Sequence, residues 1–69
     1  MKISARNVLK GRVKEIKHGA VNAEVTIELS GGIQVVAIIT ETSVETLGLA
    51  VGREAYAVIK ASNVMVAVD

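Results

Sequence analysis

At 69 residues, with no cysteine and a single histidine, the chain has room for one hydrophobic core and lacks the parts of a disulfide scaffold or a structural zinc site. Eight Lys and Arg against seven Asp and Glu leave a formal charge of +1, and Tyr56 is the only aromatic residue, so neither the field nor the stacking platform that a nucleic acid needs is present. Apolar residues make up 51% of the chain, whereas a lone core of this size supplies only about 3 to 5 kcal/mol, so part of that surface is expected to face another copy of the chain.

In chain order, Lys2 is followed by Ser4, Arg6 and Asn7 with no apolar signal-type segment, which predicts a cytoplasmic protein. Leu9, Gly11 and Val13 alternate as a first strand, and Ile16 then breaks parity, as a bulge or an early end near Lys14 to Lys17 requires. Gly19 supplies a turn. From Val21 to Leu29 every odd position is apolar and every even one polar, the pattern of a half-buried strand. Ser30, Gly31 and Gly32 interrupt it, and Ile33 to Thr40 resumes as a β-branched run, so the two segments read as a hairpin. Val35 to Ile39 is apolar at both parities, which predicts cover on both faces.

Thr42-Ser43-Val44-Glu45 is the one helical signal. Thr42 is expected to cap the first turn with Glu45 reaching back, Leu47 to pack inward and Gly48 to take the left-handed C-terminal conformation. Gly52, Arg53 and Glu54 form the next turn, and two β-rich runs follow, Ala55 to Lys60 and Val64 to Val68, separated by Ala61, Ser62 and Asn63. The sum is a single all-β domain over residues 1–69, a small five-stranded OB-like barrel with one short helical turn between strands three and four. The longest unbroken apolar runs are five residues each, far below the roughly 18 needed to cross a bilayer, so no membrane is expected.

Catalysis finds no footing in this composition. His18 is the only imidazole and reads as a solvated turn residue rather than a base, and the acidic residues are dispersed as Glu15, Glu24, Glu28, Glu41, Glu45, Glu54 and Asp69 with no evident pair. No enzyme, no cofactor and no protein-to-metal ligand set is expected. Two polar clusters remain, Ser4-Ala5-Arg6-Asn7 before the first strand and Lys60-Ala61-Ser62-Asn63 between the last two. Each offers a hydroxyl, a cation and consecutive N–H groups that no ladder consumes, which are the parts of an oxyanion cradle. The plain alternative is that Ser62 and Asn63 form a turn and Arg6 lies on the surface.

Ile3-Ser4-Ala5-Arg6-Asn7, the segment Gly19 to Val25, Ser43-Val44-Glu45 with Leu47-Gly48, and Ile59 to Met65 together resemble the molbindin family. Molbindins are the stand-alone form of the molybdate-binding (Mop or TOBE-type) domain of molybdate-responsive regulators and transporter ATPases. The resemblance covers the whole chain in one register. It implies storage or buffering of molybdate or tungstate by a homohexamer, a trimer of dimers, with the anions at subunit interfaces. One class of site would be formed by Ser4, Ala5 and Arg6 with Lys60, Ala61 and Ser62, and a second by Gly19, Ala20, Val21 and Asn22. The rival reading is an OB-like regulatory or protein-interaction module, which the apolar excess would serve equally well.

Overall fold

The computed structural model describes residues 1–69. Four strands form one antiparallel sheet: β1 (Asn7–His18), β2 (Asn22–Leu29), β3 (Gln34–Thr40) and β4 (Glu54–Ile59), in the order β3, β2, β1, β4. A helix, α1 (Glu41–Leu47), joins β3 to β4, and single 3-10 turns occupy Ser30–Gly32 and Ala61–Asn63. The helical turn therefore lies where the sequence places it.

The bulge anticipated from Ile16 is present. Val13 pairs with Ile27 but Glu15 pairs with Thr26, leaving Lys14 as the extra residue. That one-residue slip returns the apolar residues of β1 to the inner side, so Val13 is buried and Ile16 packs against the core. The buried cluster joins Val13 of β1, Ala23, Val25 and Ile27 of β2, Val44 of α1 and Ala57 of β4. Between β2 and β3, Gly31 and Gly32 take φ values of 82° and 81°, which a side chain would strain.

The helix is capped two residues earlier than Thr42. Strand β3 runs straight into it, and Thr40 is the cap, its hydroxyl oxygen accepting from the Ser43 N–H at 3.0 Å. The Thr40 hydroxyl in turn donates to Ser43 Oγ at 2.8 Å, so Glu45 has no capping role. Gly48 ends the helix in the left-handed region at φ 63°, as expected. Leu47, expected to pack inward, is exposed because the seven-residue helix turns only Val44 toward the sheet.

One further expectation is corrected. Val64 to Val68 is not a strand, so the sheet has four strands rather than five. High β-propensity makes a strand only where a ladder partner exists, and from Met65 onward the backbone forms no backbone hydrogen bond. Within one chain β3 and β4 are the two edges of the sheet. The sheet curls around an apolar trough of about 730 Å³ lined by β2, β3, β4, Met1, Leu47 and Leu49. Within one chain β3 is covered on its inner side only, with Val36 and Ile38 exposed. No helix is long and apolar enough to cross a membrane.

Candidate oxyanion site

Antiparallel pairing of β1 with β4 decides where the two polar clusters go. The last pair of that ladder is Asn7 with Ile59, so the residues just before Asn7 and just after Ile59 leave the sheet at the same end. The Asn7 side-chain amide donates to the Ile59 carbonyl at 3.2 Å and fastens this end. As a result Ser4, Ala5 and Arg6 line one depression with Lys60, Ala61 and Ser62, joined by Ile3, Val58 and Asn63. Residues 54 or more positions apart in sequence thus share one wall.

The depression is donor-rich and contains no carboxylate. Elsewhere three lysines pair with acids, Lys10 with Glu54 at 3.4 Å, Lys14 with Glu28 at 3.1 Å and Lys17 with Glu15 at 3.8 Å. Arg12 and Arg53 donate to the carbonyls of Gly52 and Gly48. Arg6 and Lys60 form neither an ion pair nor a side-chain hydrogen bond within the chain, and the N–H groups of Ser4, Ala5, Arg6 and Lys60 donate to no other backbone group. Two cations, two hydroxyls and free amides around one concavity favour an anion, because charge-assisted donors bind acceptor oxygens about twice as strongly as neutral ones. The cavity, about 570 Å³, is several times the space of a four-oxygen anion at roughly 30 Å³ per water-sized group.

Gly19, Ala20, Val21 and Asn22 lie together on the exposed turn between β1 and β2. That turn is tied to the start of α1: the Glu41 N–H donates to the Val21 carbonyl at 2.9 Å, and the Glu41 carboxylate accepts from the Gly19 N–H at 3.0 Å. His18 Nδ1 sits 2.9 Å from the same carboxylate. These contacts hold the Glu41 carboxyl below its ordinary pKa of 4.5, chiefly through the His18 hydrogen bond and then the Gly19 amide, against the opposing effect of desolvation. In the sequence both His18 and Glu41 read as solvated residues. A pair 23 positions apart carries no local signature.

No group of three or more His, Asp or Glu side chains is gathered closely enough to hold a metal ion directly. The fold and depression together define a small antiparallel β domain with a donor-lined, carboxylate-free cleft at the open end of its β1–β4 ladder.

The chain belongs to the TOBE domain family, whose model matches residues 3–66. It is 52% identical over 69 residues to a probable molybdenum-pterin-binding protein of Haemophilus influenzae, covering all of both chains. It is also 52% identical over 66 residues to molybdenum-pterin-binding protein 3 of Clostridium pasteurianum, covering 96% of this chain and 97% of that one. Among solved structures, MopII from Clostridium pasteurianum superposes with a TM-score of 0.92 at 48% identity, over 97% of this chain and 100% of that chain. ModG, described as a cytoplasmic molybdate-binding protein and solved with molybdate bound, superposes with a TM-score of 0.91 at 54% identity, over 94% of this chain and 46% of its own.

Proposed function

We propose that the chain binds molybdate or tungstate in the depression between residues 3–6 and 60–63, and that it stores or buffers the anion in the cytoplasm without transforming it. The observation that carries this reading is the convergence of Ser4, Ala5 and Arg6 with Lys60, Ala61 and Ser62 around one cavity that holds no carboxylate. Relatives named for molybdenum binding, and a neighbour solved with molybdate, support it. In this reading residues 1–69 act as a single binding domain of a homohexamer, a trimer of dimers, and partner copies complete each cradle.

Proton count supplies selectivity. Molybdate and tungstate are proton-free tetrahedral dianions at neutral pH, whereas phosphate carries at least one O–H that must donate. A cleft made only of donors leaves that proton facing another donor and so disfavours phosphate. Sulfate is also proton-free, and its rejection falls to cavity size in the assembled protein. A second, lesser site over Gly19, Ala20, Val21 and Asn22 belongs to the same proposal. An anion using the Gly19 amide there has to displace the Glu41 carboxylate, which already accepts from it.

Isothermal titration with molybdate, tungstate, sulfate and phosphate tests the reading. Saturable binding of the first two, with phosphate weaker by at least tenfold, is expected; no heat with either molybdate or tungstate would overturn it.

A further inference from the structure

The Glu41 carboxylate occupies the position that an external anion would take at the β1–β2 turn. Its Oε2 accepts from the Gly19 N–H at 3.0 Å and lies 3.0 Å from His18 Nδ1, and its Oε1 lies 2.9 Å from the same nitrogen. An ionised carboxylate only accepts, so this contact makes Nδ1 the protonated, donating nitrogen of the ring. Two donors from adjacent residues, one side-chain and one main-chain, thus converge on a single anionic group that arrives from α1.

The turn has spare capacity beside that pair. The N–H groups of Ala20 and Val21 donate to no other backbone group. A Cβ on Gly19 would stand 2.5 Å from the Asn22 carbonyl oxygen, so only glycine lets the backbone close this tightly. Lys17, the neighbouring cation, is engaged with Glu15 at 3.8 Å and does not compete for the Glu41 carboxylate. The His18 and Glu41 side chains are 64% and 27% exposed, and Val44 is the only residue of α1 in the buried cluster. Glu41 can therefore swing into water without unpacking the core. The turn stays docked when it does, because the Glu41 N–H to Val21 carbonyl bond at 2.9 Å is main-chain.

We propose that His18 Nδ1–H and the Gly19 N–H are a donor pair for tetrahedral oxyanions, and that Glu41 is their built-in competitor, holding the turn closed until oxyanion is abundant. The proposal rests on the reading of Gly19 to Asn22 as a second oxyanion site and adds a further ligand, His18, and a cause for that site's weakness. A tethered group acts at an effective concentration on the order of millimolar, so a scarce anion loses to it. A dianion at higher concentration wins, since it sets two negative charges rather than one against the same donors. The depression of Ser4 and Lys60 contains no carboxylate and meets no such competitor.

Amide NMR of the full chain titrated with molybdate reads both places at once. In Glu41→Ala the Gly19 amide is expected to saturate at a molybdate concentration roughly fivefold or more below that required by the parent, with Ser4 and Ala61 titrating alike in the two proteins. Glu41→Gln, which keeps the side-chain length and an acceptor oxygen without the charge, is expected to fall between them. Adding His18→Ala to Glu41→Ala is expected to abolish most of the gain, which mere loosening of the turn would not do. A Gly19 amide that responds equally in parent and Glu41→Ala, that responds in neither, or that keeps its gain after loss of His18 would overturn the proposal. Silence of Ser4 and Ala61 beside the expected Gly19 response would support the gate and overturn the depression as a binding site.

Discussion

Asn7 and Ile59 face each other at the last rung of the β1–β4 ladder, and the Asn7 side-chain amide bonds the Ile59 carbonyl at 3.2 Å. Everything in the depression diverges from this rung, so the bond sets the gap between Arg6 and Lys60 without itself facing the cavity. Replacement by alanine removes one neutral hydrogen bond, worth about 1 kcal/mol. An Asn7→Ala chain should therefore lose about that much stability and, with the rung loosened, bind molybdate more weakly while keeping its strand content. An isotherm identical to that of the parent would show that the rung does not control the site.

The Lys60 side chain is exposed and bonds nothing in its own chain, so its replacement should leave folding untouched. A charge-assisted hydrogen bond to an anion contributes about 1.5 to 3 kcal/mol. Lys60→Met is accordingly expected to weaken molybdate on the order of ten- to a hundredfold, with the melting temperature of the anion-free protein unchanged within error. Titration calorimetry and a thermal scan of the same preparation read both halves.

The ladder between β1 and β2 tolerates no side chain at Gly11. A Cβ there runs into the Glu28 carbonyl oxygen and comes within 2.9 Å of Ile27 Cγ2. Backbone cannot yield as a flexible side chain does, so Gly11→Ala should cost roughly 1 to 3 kcal/mol. Chemical denaturation measures it, and a midpoint unmoved from the parent's would mean that the strands part at no cost.

Much of this architecture was legible in the residues. Strict alternation from Val21 to Leu29 fixed β2, the parity break at Ile16 marked the bulge at Lys14, and Gly48 ended the helix where expected. What was not legible depends on partners distant in sequence or absent from the chain. Val64 to Val68 has the composition of a strand but pairs with neither edge of its own sheet, and composition is all that a local pattern can read. Thr40 displaced Thr42 as the cap because β3 runs into α1 with no loop between them. At the depression, the residue types of the two clusters were visible, but their meeting required the Asn7–Ile59 register, which is a property of the sheet.

If partner copies complete the cradle, the anion binds the assembled native protein and not the unfolded chain, so mass action must stabilise the fold. At free molybdate a hundredfold above its Kd, the gain is about 2.7 kcal/mol per site, enough to raise the melting temperature by several degrees in a domain of this size. Lys60→Met should lose most of the shift at the same molybdate concentration. A melting temperature indifferent to molybdate would exclude sites of this kind.

The acid limb of stability should carry the signature of Glu41. Its folded pKa lies below the ordinary 4.5 through the His18 hydrogen bond and the Gly19 amide, so near and below pH 4.5 the unfolded chain takes up a proton that the folded chain refuses. Stability from this carboxylate is then fully present above about 4.5 and is lost as pH falls through the lowered folded value. Glu41→Gln removes the titration. Thermal melts of the two proteins between neutral pH and the acid range should show the parent more stable at neutral pH, with the gap closing only in the acid window. A gap of constant size across that range would mean that the carboxylate charge does not hold the β1–β2 turn to the helix.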